Sequence, residues 1–417
     1  MPQVNRVAML SLHTSPLEQP GSGDAGGMNV YVRSVAVEMA KMGMQVDIFT
    51  RASAPDQPSA VEIAPGAVVR HVTAGPRRRL PKELLPGLAE ELAEGIGAAA
   101  RGLQDDGRYD VLHSHYWVSG IAGLALARQW DAPLVHTMHT MARVKNVQLR
   151  PGEPAEPQVR IQGEQDIVDS AARLIANTTT EAAELVTWYG AAESAIDVVA
   201  PGVDLEVFSP AGRGAAKRQH GFGQKEFHVV FAGRIQRMKG PQVLVEAAAK
   251  LRAARPDIPL RISILGAPSG SEVLDLDAAV ASLGLQGTVQ LHPPVAAGGL
   301  AGWFRSADVV AVPSYSESFG LVALEAQACG TPVIAADVGG LPKAVSSGRT
   351  GVLVQGHDPA SWAAELEALY DHQSWREDLG RSAAVHARAF GWQRTAMLTT
   401  QGYRRAAEQA SAHAVGN

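Results

Sequence analysis

Glu317-Ser318-Phe319-Gly320-Leu321-Val322-Ala323-Leu324-Glu325 follows a short apolar run, Val309 to Val312, and opens a segment whose spacing predicts a helix from Phe319 or Leu321 to Cys329. A strand feeding a helix through a polar, glycine-bearing turn is the repeating unit of a parallel α/β sheet. The start of such a helix offers free backbone amides and the positive end of a dipole, which suit a phosphate. The two carboxylates, with seven residues between them, can each hold sugar hydroxyls. The segment reads as a site for a phosphorylated sugar.

The same unit repeats outward in both directions, so the fold class is α/β. In the first half, strands are expected near Val7 to Leu12, Gln45 to Thr50, Val68 to Val72, Tyr109 to His113, Pro133 to Thr137, Arg173 to Ala176 and Ile196 to Val199. A helix from Met28 to Met42 is closed by Gly43, where a left-handed cap is cheap. From Ala200 to Gly223, proline, glycine and charge gather without periodicity, which marks a linker. Strands then restart at His228 to Ala232, Leu260 to Leu265, Val289 to Leu291, Val309 to Val312, Pro332 to Ala335 and Val352 to Val354. A chain of 417 residues exceeds one comfortable core. The expected architecture is two Rossmann-like α/β domains facing a cleft, residues 1–200 and 201–390. The segment 391–417 is a helix with little core of its own, and return to the first domain would bury it.

Composition excludes several classes of function. A net charge of -5 lacks the basic excess that nucleic-acid binding needs. One cysteine, Cys329, excludes an intramolecular disulfide framework and suits a reduced compartment, and its small-residue surroundings fit a packed thiol. The apolar run Val4 to Leu12 is too short for a secretory signal, and no stretch reaches the roughly 20 apolar residues of a membrane span. A cytoplasmic protein is expected.

Beyond the opening segment, the strand ending at Ala232 runs into Gly233-Arg234-Ile235-Gln236-Arg237-Met238-Lys239-Gly240 and then a helix. Arg234 and Lys239 can aim a planar fork and a point charge at the same phosphates, at the strand end where open α/β sheets bind ligands. G-K-[ST] is absent, so this is no Walker loop. In the first half, Gly21, Gly23 and Gly26 formally satisfy G-x-G-x-x-G, with Asp47 about 20 residues on as a ribose-binding acid. A polar loop separates those glycines from the strand, so a loop that brings the Gly26 and Gly27 amides against a diphosphate reads better than a dinucleotide turn. His113, His115, His136 and His139 sit at the ends of two expected strands and admit a zinc reading. Asp275-Leu276-Asp277 has the D-x-D form of metal-dependent sugar transferases, but lies within an expected helix, Ser271 to Leu283, whose wet face it most simply forms.

Gly233 to Gly240, with Glu317 and Glu325, resembles the retaining GT-B glycosyltransferases of family four over essentially the whole chain. The segments H-T-S-P, G-D-A-G-G-M-N-V-Y, H-S-H-Y-W, H-T-M-H-T and V-K-N narrow the resemblance to members that glycosylate inositol phosphate at the start of mycothiol biosynthesis. The resemblance implies UDP-N-acetylglucosamine as donor. Arg234 and Lys239 would hold its diphosphate, Glu325 its ribose, and Glu317 a hydroxyl of the transferred sugar. Phe319, Gly320 and Leu321 would add backbone amides, Gln19, Pro20 and Gly27 would close over the donor, and Val295 would make a main-chain contact where several relatives carry arginine. His139 would act beside the sugar as a hydroxyl contact or a stabiliser of developing charge. Glu317, His139, Arg234 and Lys239 are thus the expected catalytic residues.

The acceptor, an inositol phosphate, would lie among His13, Asp24, Ala25, Gly26, Gly27, Met28, Asn29, Lys82, Tyr116, Thr140 and Arg160. Lys82 and Arg160 supply charge, and Tyr116 and Thr140 supply hydroxyls, as a phosphomonoester requires. The resemblance further implies a structural magnesium near Phe304, Arg305, Ala307 and Thr331 and a homodimer; with Arg234 and Lys239 available for the leaving group, no cofactor is needed for catalysis. Three alternatives stand beside this reading. One is another acceptor, such as fructose 6-phosphate or a phosphoinositide; the second is a dinucleotide-dependent oxidoreductase; the third is a silent nucleotide-sugar binder.

Overall fold

The computed structural model describes residues 3–103, 108–147, 149, 154–269 and 274–416, with side chains to residue 412. The chain forms two compact units. The first comprises residues 1–18, 28–200 and 392–417, and the second residues 19–27 and 201–391.

The first unit is built on one sheet of β1 (Arg6–Leu10), β2 (Gln45–Arg51), β3 (Ala60–Ala64), β4 (Ala67–Val72), β5 (Val111–His115), β6 (Leu134–Thr137), β7 (Arg173–Ala176) and β8 (Ile196–Val198). Their order is β3-β4-β2-β1-β5-β6-β7-β8, parallel throughout except for β3 against β4. The central strands are buried end to end, the expected result for apolar runs covered on both faces by crossover helices. The second unit has β9 (Phe227–Ala232), β10 (Leu260–Leu265), β11 (Val289–His292), β12 (Val309–Val312), β13 (Val333–Ala336) and β14 (Gly351–Val354). Their order, β11-β10-β9-β12-β13-β14, is fully parallel. In both sheets the winding reverses beside the first strand, between β1 and β5 and between β9 and β12. Open α/β sheets bind ligands beyond the strand ends at such a reversal.

Strands Arg173–Ala176, Leu260–Leu265 and Val309–Val312 coincide with the expectation, and the helix expected at Met28 to Met42 is Gly27–Lys41. The expectation fails at β3, which has no counterpart in it. The presumed linker also contains a helix, Arg213–Gln219, whose buried Lys217 meets Asp308 at 2.6 Å. Ahead of that helix, Val203 pairs with Gly391.

The last helix, Trp392–Gly416, packs on the first unit. Tyr403 is fully buried and its hydroxyl meets His113 Nδ1 at 2.6 Å, while Arg405 reaches Asp197 at 2.6 Å. No helix among the described residues is long and apolar enough to cross a membrane.

Candidate functional site

In the second unit, β9 ends at Ala232 and Gly233 turns the chain with φ +154°. A single turn, Arg237–Lys239, closes on Gly240 at φ +73°, and Pro241 starts the next helix. A Cβ at Gly240 would stand 1.9 Å from the Pro313 carbonyl oxygen, so only glycine lets this turn lie against the end of β12. The turn brings Lys239 Nζ to 2.6 Å from Glu317 Oε2, a partly exposed pair to which Ser314 Oγ adds at 3.4 Å. Arg234 makes no ion pair among the described residues and is half-buried. An arginine without an ion pair, on the same strand-to-helix turn as a lysine paired with a carboxylate, is suited to receive a diphosphate.

Glu317 is fixed from behind by residues that no sequence motif singled out. Gly340 N donates to the Glu317 carbonyl at 2.8 Å. A Cβ on Gly339 would come within 2.1 Å of that carbonyl oxygen, and one on Gly340 within 2.2 Å of the Ser318 carbonyl oxygen. Gly340→Ala must therefore push the Glu317 loop away. Since a displacement of about 1 Å can cost on the order of a hundredfold in rate, a loss of at least about tenfold in kcat is expected with the fold retained, as steady-state kinetics and circular dichroism together would show.

The helix Leu321–Ala328 starts from Gly320 at φ +105°, and its first amides have no intrahelical partner. Phe319 is buried, while Leu321 is partly accessible. Glu325 lies one turn in, without an ion pair among the described residues. Burial pushes its carboxyl up to about 8, although a small part of its surface remains accessible.

The glycine loop belongs with this group of residues. Gln19 Nε2 donates to the Val295 carbonyl at 2.9 Å, and Ala267 N donates to the Gly21 carbonyl at 3.3 Å. A Cβ on Gly26 would stand 3.8 Å from Arg234 Nε, and one on Gly27 3.2 Å from Leu321 Cδ1. Pro20 and Asp24 are exposed and Ala25 is fully buried. Placing residues 19–27 in the first domain is thus corrected: their contacts group them with the second unit, whereas Met28 and Asn29 stay with the first. Asn29 is buried and donates to Thr14 Oγ1 at 2.9 Å and to the Ser15 carbonyl at 2.6 Å, so it shapes the loop beneath His13.

In the first unit, two of the three non-glycine residues with positive φ are expected site residues: Tyr116 at +69° and His139 at +58°. Such backbone conformations cost energy and concentrate at functional sites. His13 packs on Tyr116 with ring centroids 4.4 Å apart, and the Arg160 guanidinium lies over the Tyr116 ring, 5.1 Å from its centroid. Arg160 donates to Thr140 Oγ1 at 3.0 Å. It is also held by Glu164 at 2.7 Å and Glu156 at 2.9 Å, neither of which was singled out from sequence. Lys82 is exposed at the start of the short helix Lys82–Leu88; burial lowers the Lys145 ammonium, and the charges of Arg160 and Lys82 add to that shift.

The histidines expected at the two strand ends are engaged by other side chains. His113 is engaged by Tyr403 and by Thr137 at 2.9 Å, and His136 by Ser114 at 2.7 Å. No group of three potential metal-binding His, Cys, Asp or Glu side chains occurs among the described residues. His139 Nε2 lies 3.0 Å from His115 Nδ1, and burial pushes His139 down to about 3. A neutral imidazole can hydrogen-bond a sugar hydroxyl.

Asp275 caps the helix Leu276–Ser282 through the Ala278 amide, and Asp277 is exposed. The expected helix was longer, and its residues 271–273 lie outside the described residues. The dinucleotide reading loses its acid, because Asp47 is buried in β2 with Arg70 at 2.6 Å and Tyr109 at 2.8 Å. Cys329 is buried, and burial pushes its thiol up to about 12. The residues expected at magnesium fit that ion poorly. Phe304, Ala307 and Thr331 are buried, and the Thr331 hydroxyl donates to the Phe304 carbonyl at 2.6 Å. The Arg305 guanidinium bonds the Ser209 and Val207 carbonyls at 2.7 Å. The set contains no carboxylate, the usual protein ligand of magnesium.

Comparison with known proteins defines the class. A family model for glycosyl transferases group 1 matches residues 213–386, and one for a glycosyl transferase 4-like domain matches residues 26–202. Both units are those of a GT-B glycosyltransferase. The chain is 59% identical to the D-inositol 3-phosphate glycosyltransferase of Arthrobacter sp. (strain FB24), over 98% of this chain and 97% of that protein. It is 49% identical to the Thermobispora bispora (strain ATCC 19993) protein of the same name, over 98% of this chain and 96% of that one. The chain belongs to the D-inositol 3-phosphate glycosyltransferase family. Among solved structures, sucrose-phosphate synthase from Thermosynechococcus elongatus matches with TM-score 0.87 and 31% identity, over 96% of this chain and 98% of that one. Anabaena HepE, solved with UDP-glucose, shares the fold at TM-score 0.72 and 18% identity, over 98% and 99% of the two chains.

Proposed function

We propose that the chain is a retaining transferase that moves N-acetylglucosamine from UDP-N-acetylglucosamine to 1D-myo-inositol 3-phosphate, the first glycosylation of mycothiol biosynthesis. The observation that carries this reading is the convergence of His13, Tyr116, Thr140 and Arg160 at a strained turn, with Lys82 adding charge nearby. That set offers cations and hydroxyls to a small phosphomonoester. The names of the relatives support the acceptor, and the HepE complex supports a uridine diphosphate sugar on this fold.

In this reading Arg234 and Lys239 hold the diphosphate and offset its charge as the bond from the anomeric carbon to phosphate oxygen breaks. The acceptor hydroxyl forms the new bond on the same face and passes its proton to the departing phosphate oxygen. UDP leaves, and configuration is retained. Glu317 orients the sugar and Lys239, Glu325 takes the ribose hydroxyls, and His139 contributes a neutral hydrogen bond. Glu317 is one member of an ion pair rather than of a hydrolase pair, so no covalent glycosyl intermediate is assigned. With two cations assigned to the leaving group, no step falls to a divalent metal. Addition of EDTA is expected to change the initial rate by less than about twofold, against the large loss a metal-assisted transfer would show.

The likeness to sucrose-phosphate synthase favours a second reading, with a hexose phosphate as acceptor. Mass spectrometry of the products from inositol 3-phosphate, fructose 6-phosphate and free inositol, each with UDP-N-acetylglucosamine, separates the two. The proposal expects a glycosylated inositol phosphate, and fructose 6-phosphate as the sole productive acceptor would replace it with the second reading.

A further inference from the structure

We infer that Glu156 occupies, on Lys145 and Arg160, the place of the acceptor's phosphate, and that Lys145 is a further cation of the acceptor site. The inference rests on the acceptor assignment above. Glu156 Oε1 lies 2.8 Å from Lys145 Nζ and its Oε2 2.9 Å from Arg160 NH1, so one carboxylate bridges two cations as a phosphate would. Arg160 is only 3% exposed, and its other nitrogens are fixed by Glu164 and Thr140. The guanidinium is therefore aimed in advance, and NH1 is the nitrogen whose partner can be exchanged.

Glu156 differs from Glu164 in a way that assigns it the exchangeable role. Glu164 is fully buried and holds the Ala142 amide at 2.8 Å as well as the Tyr189 hydroxyl. The Glu156 side chain is 22% exposed, and neither ionic contact involves its backbone. Burial alone would push the Glu156 carboxyl up, but Arg160 and Lys145 outweigh burial and hold it below the usual range. It is ionised at neutral pH, and the group suited to take its place between the two cations is another anion.

Charge count supports the exchange. With Glu156 in place, Lys82, Lys145 and Arg160 face two carboxylates, Glu156 and Glu164. With Glu156 turned outward, two positive charges remain uncompensated, which matches a phosphate monoester of about -1.5 to -2. A neutral polyol brings no charge to displace the carboxylate, so the exchange also selects against unphosphorylated acceptors.

Kinetics of the full chain with inositol 3-phosphate, together with inhibition by inorganic phosphate, test this. Glu156→Gln is expected to lower the acceptor KM and the phosphate Ki by about threefold to tenfold, with the donor KM unchanged. Lys145→Met is expected to raise both acceptor constants by about tenfold or more. If Glu156 served only to hold Arg160 in place, Glu156→Gln would raise the acceptor KM and the phosphate Ki, and that result overturns the inference. An unchanged Ki in Lys145→Met overturns it also. Calorimetric titration of inorganic phosphate into the same variants reads the exchange without turnover. A tighter phosphate site in Glu156→Gln with no transfer to inositol 3-phosphate would sustain the cation assignment while refuting the proposed acceptor.

Discussion

Lys239→Ala is expected to lower kcat by about a hundredfold or more, and Arg234→Ala by about tenfold to a few hundredfold. Both estimates start from a charge-assisted hydrogen bond worth roughly 1.5 to 3 kcal/mol, with about 1.4 kcal/mol for each factor of ten in rate. The lysine has a second burden. Its ammonium meets Glu317 at 2.6 Å, so its removal leaves an uncompensated carboxylate where the departing diphosphate gathers charge. Arg234 has no such partner among the described residues, and its loss removes attraction without creating repulsion. Lys239→Ala/Glu317→Gln should therefore recover part of the activity lost in Lys239→Ala, with a coupling energy above about 1 kcal/mol in a double-mutant cycle. Effects that add within about 0.5 kcal/mol would show that the two side chains do not act as a unit on substrate.

Glu325→Gln should change the pH dependence of both stability and uridine binding. Burial raises the Glu325 carboxyl from an ordinary 4.5 to about 8. The folded chain therefore holds a proton that the unfolded chain releases above about pH 4.5. The stabilisation tied to that proton is complete below pH 4.5 and is lost as pH rises through 8. Glutamine mimics the protonated carboxyl and cannot ionise. The Tm of Glu325→Gln should match the parent within about 1 °C at pH 5 and exceed it by several degrees at pH 8.5. A constant difference across that range would show that Glu325 does not titrate there. If ribose hydroxyls donate to the carboxylate, UDP binding near pH 7 also expels the proton. Calorimetry in two buffers of different ionisation enthalpy should then detect release of up to one proton in the parent and none in the variant.

The parts of the fold that were legible in sequence are those where composition reports burial directly. Leu260–Leu265 and Val309–Val312 are apolar runs bounded by turn residues, and the sheet buries them on both faces. The edge strand β3 has a mostly half-exposed burial pattern and pairs antiparallel with β4, so neither an apolar run nor a crossover helix announces it. The helix Arg213–Gln219 lacks an apolar stripe and is anchored by a buried lysine instead. Its binding partner, Asp308, lies 91 residues away.

At the candidate site, chemistry was legible where several functional residues share one short segment. Lys239 and Glu317 were readable because each lies in a strand-to-turn motif, but their mutual pairing depends on Gly240 fitting against Pro313. Lys82 offered no local signal, and the positive φ values at Tyr116 and His139 are set by tertiary packing. The Glu156-Arg160-Glu164 ladder has spacings of four on a helix face and its entry, yet neither acid was singled out from sequence. What spacing could not distinguish was the buried anchor from the partly exposed, exchangeable carboxylate.

Calorimetric titration of UDP into the full chain and into Lys239→Ala tests the central assignment most directly. One uridine diphosphate site per chain is expected, with at least about tenfold weaker binding when the lysine is lost. Absence of binding heat at several temperatures, or an affinity indifferent to Lys239, would contradict it.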